Sequence, residues 1–233
     1  MAAMLDTLLG YVDEALLVVF GWALGFAGTA GRDAVRARRE RRQIRNGVLL
    51  ELSEVRIRLV LQSFLIGEKF GGLTAALLKW MERHMASYKG ASDVSQSLEA
   101  VRGLLKGGQQ TIKAVQTYGI ATAGGGLALK TCSLAFLESN IGRLCEFDNT
   151  FQRKTLEIRT QVEMLNQDVA EAQDYLRRTF DSSVSSENQQ IIADNLDAKY
   201  QRVRRASMRI ADLISAVLGE PTSSTLPNSS PVC

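Results

Sequence analysis

The sequence predicts an all-α chain: an N-terminal transmembrane helix, a cytosolic helical bundle and a long C-terminal antiparallel coiled-coil hairpin. Three observations lead there. The only prolines, Pro221, Pro227 and Pro231, fall in the last thirteen of 233 residues, so nothing before them carries the residue that costs ~3 kcal/mol inside a helix. Seventeen uncharged residues, Ala15 to Gly31, are followed at once by seven arginines within residues 32–45. From Leu137 onward apolar residues recur at alternating spacings of four and three, the pattern of helices that pack along a seam.

The first element to justify is the apolar run at 15–31. A secretory signal peptide needs a basic start, whereas Asp6, Asp13 and Glu14 precede this run. The run is apolar on every face and offers no stripe to water. It spans ~25 Å, at the short end for a hydrocarbon core of ~30 Å, and Met4 to Val12 can extend it outward. Residues 1–31 hold no Lys or Arg, so the positive-inside rule leaves 1–14 as a short extracytoplasmic N-terminus and everything from Arg32 in the cytosol, with a bacterial inner membrane as the expected setting. Gly21, Gly25 and Thr29 recur every four residues, a small-residue face that lets membrane helices associate, although glycine is also simply common in such helices. Arg32, Arg36, Arg38, Arg39, Arg41, Arg42 and Arg45 form the juxtamembrane segment 32–45. Beside a membrane they are expected to hold lipid headgroups, at ~1 kcal/mol per basic residue near an anionic surface.

Residues 46–132 read as a helical bundle region. In NGVLLELSEVRIRLVLQSFLI, Leu52, Val55, Leu59 and Leu65 suit one buried face, with Glu51, Glu54, Arg56 and Arg58 outside it. Gly71 and Gly72 permit a break before LTAALLKWMERHMASY. Val94, Leu98, Val101, Leu105, Ile112 and Val115 then mark another helix face. The stretch 114–137 carries Lys130 as its one charge that is not at its edge. Gly124 to Gly126 weaken a helix there, and a lysine at membrane depth costs ~2.5–3.5 kcal/mol. A buried, glycine-hinged helical hairpin is the expectation for this stretch, and a second span or re-entrant segment the alternative.

The hairpin occupies 133–219. Its first seam runs Leu137, Ile141, Leu144, Asp148, Phe151, Thr155, Ile158, Val162, Leu165, Val169, Ala172 and Leu176, with Asp148 and Thr155 as polar interruptions. After DSSVSSENQQ, in which Ser186 and Gln189 resemble a capping box, a second seam runs Ile192, Leu196, Lys199, Val203, Ala206, Ile210, Leu213 and Val217. Gly219 supplies a left-handed exit and Pro221 stops continuation. The first arm is longer, so part of its seam needs another partner, upstream helices or a second chain. The tail 220–233 is polar, rich in Ser and Pro, and expected to be disordered.

Chemistry is hard to find. The net charge is +3, and the basic block lacks the interleaved aromatics of a single-strand-binding groove, so no nucleic acid is expected. His84, the sole histidine, has no GxSxG elbow to serve and reads as a surface or satisfied core residue. The glycine pairs at 71–72 and 107–108 and the triplet at 124–126 lack the P-loop spacing. Glu163, Asp168, Glu171 and Asp174 read as a solvated face, not as metal ligands. Cys132 and Cys145 have no partner at zinc spacing. No catalytic residue, cofactor, metal or small-molecule substrate is indicated. The functional expectation is a membrane-tethered, non-enzymatic scaffold or adaptor that forms homo-oligomers or recruits a cytosolic protein through coiled-coil surfaces. The alternative is a membrane-perturbing or pore-forming effector that inserts 114–137.

Overall fold

The structure, a computed structural model, describes the backbone of residues 2–90, 93–122, 126–181 and 185–220, and their side chains apart from those of 2–21, 23–31, 34, 122 and 186. Every regular element is helical and no strand occurs among the described residues, so the chain is all-α. The helices are α1 (Ala2–Lys69), α2 (Ala75–Ala86), α3 (Ser95–Thr122), α4 (Ala135–Ser139), a 3-10 turn (Ile141–Glu146), α5 (Asn149–Arg178) and α6 (Ser186–Leu218). Two compact units divide the chain, Met1–Asn46 and Gly47–Cys233.

In the first unit the membrane expectation is corrected. Among the described residues no helix is long and apolar enough to cross a membrane, which overturns the single-pass placement and the cytosolic assignment that hung on it. The reason lies in length and charge. The seventeen apolar residues span only ~25 Å, and the helix that holds them does not stop at their end but continues into the arginines. All seven arginines are exposed on α1, with Arg36 Nε donating to Glu40 Oε1 at 3.1 Å. The side chains of Gly21, Gly25 and Thr29 lie outside the described residues, as do Gly124, Gly125 and residues 221–233.

The second unit is punctuated by glycine. Helix α1 ends into Gly71 (φ +83°) and Gly72 (φ +96°), conformations that cost a residue with a Cβ ~1–2 kcal/mol. Its last carbonyls are taken over by α6. Gln201 Nε2 donates to Phe70 O at 3.0 Å and Arg204 Nη1 to Gly71 O at 3.0 Å. Helix α2 restarts with Thr74 as N-cap, its hydroxyl accepting Leu77 N–H at 3.1 Å. Helix α3 kinks at Gly108 (φ +72°). These pieces bury one core containing Ile57, Val60, Leu78, Met81, Met85, Val101 and Ile112, closed by Ala211 of α6.

The hinged helical hairpin expected across 114–137 is not formed. Helix α3 runs to Thr122, residues 126–134 take no regular structure, and α4 begins at Ala135. A strap outside any helix must still place its backbone hydrogen bonds, and here side chains of α5 and α6 meet them. Tyr200 Oη accepts from Leu127 N–H and donates to Leu127 O, both at 2.8 Å. Gln173 Nε2 donates to Leu129 O at 2.7 Å. The Asn166 amide accepts from Cys132 N–H and donates to Cys132 O, both at 2.8 Å. Burial raises the pKa of the Tyr200 phenol, which keeps the proton that Leu127 O requires. The buried Cys132 thiol is likewise pushed up by burial, away from thiolate chemistry.

The first hairpin arm is also not one continuous seam. Asp148, read as an interruption, is the N-cap of α5 and accepts Phe151 N–H at 2.9 Å. The arm therefore breaks, and Leu137 and Leu144 are buried in the short elements before it while Ile141 is exposed. Along α5, Phe151, Thr155, Ile158, Val162, Leu165, Val169 and Ala172 are buried and Leu176 half-buried; along α6, Leu196, Val203 and Ile210 are buried, with Ile192 and Val217 half-buried. The cap of α6 is Ser185, one residue before Ser186, and Gly219 (φ +77°) ends it. Asp168 is buried, not solvated: Arg202 Nε lies 3.0 Å and Lys199 Nζ 3.3 Å from its carboxylate. Lys199 also reaches Glu171, the main cause of its raised pKa. These pairs, with Arg209 on Gln161, fix α5 and α6 as antiparallel neighbours. Tyr200→Phe strands both polar groups of Leu127 and is expected to cost about 1–3 kcal/mol. Thermal unfolding reads the loss, and hydrogen exchange reads faster exchange at Leu127 with Cys132 still protected by Asn166.

Candidate functional site

The sequence VRIRL at 55–59 places a charge every second residue on a helix whose neighbours are all needed for packing. Arg56 falls on the inner side, and its relative exposure is 0%. A guanidinium cannot be neutralised by losing its proton, so the surrounding elements must supply acceptors. They do so from three directions. Helix α6 presents Asp212 and Ser215, one turn apart and therefore on one face. Helix α2 presents Trp80 and His84, four residues apart, with ring centroids at 4.5 Å, and Ser87 at its C-cap. The left-handed Gly219 then turns Glu220 back toward the same point.

The result is a connected chain of bonds. Trp80 Nε1 donates to Asp212 Oδ1 at 2.9 Å, and His84 Nε2 lies 3.0 Å from the same oxygen. The other ring nitrogen, Nδ1, lies 3.1 Å from Ser215 Oγ. Arg56 Nη1 donates to Ser215 Oγ at 2.9 Å and to Glu220 Oε2. Ser87 Oγ donates to Glu220 Oε2 at 2.7 Å. A proton on Nε2 serves Asp212 Oδ1, which also accepts from Trp80, while Nδ1 faces Ser215 Oγ. Asp212 then holds the tautomer, as a carboxylate beside an imidazole does.

Serine, histidine and aspartate in hydrogen-bonded sequence are the elements of a nucleophilic triad. The surroundings differ from what that chemistry needs. Ser215 is 3% exposed, and Arg56 already occupies its oxygen. A nucleophile requires a position ~3 Å away where a reacting atom can sit, and here the neighbouring positions are taken by Arg56, His84 and Glu220. In this conformation the arrangement joins α1, α2, α6 and the segment after α6 through charge and hydrogen bonds. The described residues contain no group of three His, Cys, Asp or Glu side chains placed to hold a metal ion.

None of the residues singled out from the sequence as site residues belongs to this cluster. The arginines of 32–45 lie in the other unit, and the seam residues line the α5–α6 contact and the short elements before α5. Asp212 and Ser215 sit between the seam positions Ile210, Leu213 and Val217, where a heptad reading assigns solvent. Arg56 was placed on the outer face of its helix. The one available signal was Trp80 and His84 on a shared helical face, two polar-tipped rings that need partners when buried. No family model matches the chain, and neither the curated proteins nor the solved structures contain a match.

The cluster carries an asymmetric stability prediction. Glu220→Ala leaves a fully buried cation without its carboxylate and is expected to cost about 3–5 kcal/mol. Arg56→Met removes the charge at similar volume and leaves behind a carboxylate that reaches solvent, so it is expected to cost less. Denaturant midpoints of the two variants at neutral pH compare them directly.

Proposed function

We propose that the chain is a non-enzymatic helical scaffold or adaptor, with α5 and α6 forming an antiparallel coiled-coil hairpin that self-associates or recruits a protein partner. The observation that supports this is the apolar character of the hairpin's far end. Toward the turn the seam loosens: Leu176 and Ile192 are only half-buried, while Phe180 is 68% and Ile191 53% exposed. Large apolar side chains gathered at the tip of a rigid two-helix arm make a surface that another helix or a second copy can cover. Leu156 and Met164, eight residues apart on α5 and both exposed, continue apolar surface along the same arm. The hydrogen-bonded strap and the Asp168 ion pairs hold the arm stiff, which lowers the ordering cost of association. The exposed arginines of 32–45 belong to the same reading as an electrostatic contact for an anionic partner surface.

The reading has two tests. Purified full-length chain is expected to be at least dimeric by light scattering, and Phe180→Asp with Ile191→Asp to weaken association at least about tenfold while leaving the melting temperature in place. A chain that stays monomeric at high concentration and crosslinks to nothing in cells would remove the support. For the non-enzymatic half, a fluorophosphonate probe is expected to leave Ser215 unmodified; stoichiometric labelling there, abolished by His84→Ala, would make the protein a hydrolase.

A further inference from the structure

Glu220 sits in a place built by other residues. Its Oε2 is met by Arg56 Nη1 and by Ser87 Oγ at 2.7 Å, with Ser215 Oγ 3.5 Å away. These donors come from α1, from the C-cap of α2 and from α6, and their positions do not depend on Glu220 alone. Arg56 is also bonded to Ser215 at 2.9 Å, and Ser215 lies 3.1 Å from the imidazole that Asp212 orients. Glu220 itself arrives differently. It lies beyond the end of α6, one residue past the left-handed Gly219, and its side chain is 23% exposed against 1% for Arg56. Buried Arg56 Nε has no hydrogen-bond partner among the described residues, so the guanidinium has donor capacity left over. The Ser87 hydroxyl and the Arg56 guanidinium converging on one carboxylate oxygen, with Ser215 Oγ beside it, are the chemistry of carboxylate recognition.

We propose that Arg56, Ser87 and Ser215 form a binding site for a small monocarboxylate, and that Glu220 is its built-in occupant. The cradle is preorganised by the helices and the acceptor is delivered by a short exit segment, so the two are separable. With the Glu220 carboxylate removed, an acetate-sized anion can satisfy the same donors and neutralise the same buried cation. Ligand size follows from the contact: one oxygen is engaged, and the part of the side chain that Glu220→Ala removes is one methylene and a carboxylate. The inference is independent of the scaffold reading, because it concerns α1, α2 and the end of α6 and not the far end of the hairpin.

Chemical rescue tests it. Full-length wild type and Glu220→Ala are melted in sodium acetate and in sodium chloride of matched ionic strength near neutral pH. The variant is expected to melt well below wild type in chloride and to regain about 3 °C or more in acetate at roughly ten times its dissociation constant. Wild type, with the site filled, is expected to respond equally to the two salts. Adding Ser87→Ala to the variant is expected to shrink the acetate gain. The proposal is overturned when Glu220→Ala gains no more in acetate than in chloride, when wild type gains as much as the variant, or when the Ser87→Ala double variant keeps the full gain. Should Glu220→Ala be unfolded in chloride, refolding in acetate decides: recovered helical circular dichroism supports the site, and none overturns it.

Discussion

A positive charge with no water around it organises one end of the larger unit. Arg56 lies where α1 is closed in on most sides: Val55, Ile57, Leu59 and Val60 are buried along with it. Leaving its cation unpaired would cost several kcal/mol. The oxygens it contacts belong to Ser215 and Glu220, residues more than 150 positions away in sequence. That pairing sets the rotation of α6 about its own axis, because Ser215 must face α1 while Ala211 closes the core. It also fixes where α6 ends, since Gly219 has to adopt positive φ for Glu220 to return. Helix α2 is recruited in turn, through His84 and Ser87. A buried ion pair is a poor source of net stability, but it is an effective selector of geometry. Few registers of three helices would leave this guanidinium satisfied.

Helix α6 does three jobs at different residues. The face bearing Leu196, Val203 and Ile210 packs on α5 and, with Lys199 and Arg202, takes up the charge of Asp168. Near its middle, Tyr200 stacks on Phe70 with centroids 4.2 Å apart and clasps Leu127, while Gln201 and Arg204 donate to the carbonyls of Phe70 and Gly71 just past the end of α1. Near its C-terminus Asp212 and Ser215 enter the polar cluster. A helix with two partners buries more than a single stripe, which explains why Ser207, Ala211 and Ile214 are buried off the heptad seam.

How much of this was legible follows from which interactions leave a periodic trace. Helices did: the absence of proline through residue 220 and the apolar spacing pointed to an all-α chain, though not to α1 running unbroken from Ala2 to Lys69, and Gly71, Gly72 and Gly219 marked ends because positive φ selects glycine. Asp148 was visible but ambiguous, since an acid at a heptad position reads equally as an interruption or as the cap of a new helix. Spacing alone cannot see the Asp148–Phe151 bond that decides it. The strap at 126–134 was misread because a mostly apolar sequence with one charge, Lys130, suits a segment outside any helix as well as a helix, and its bonds come from Asn166, Gln173 and Tyr200 far along the chain. Arg56 was misplaced for the same reason. A charged residue is assigned to water by default, and only its distant partners reverse that.

The Ser215–His84–Asp212 geometry follows from helix spacing. Residues three apart on a helix present their side chains on one face, so a carboxylate and a hydroxyl at that spacing flank any imidazole that packs between them. A buried imidazole needs a hydrogen-bond partner at each ring nitrogen, and this pair supplies both. What separates a nucleophilic site from a structural one is then the state of the serine oxygen. In a nucleophile it is the free end of the chain, open to a reacting carbon; here it is an interior link, accepting from Arg56 at 2.9 Å. Donation by a guanidinium occupies one of its two lone pairs and holds the oxygen in place. The same contact passes the position of Glu220 through Arg56 to Ser215 and on to His84, so a change at the end of α6 is felt at α2. In this conformation the cluster is a chain of hydrogen bonds that ties α1, α2 and the end of α6 together.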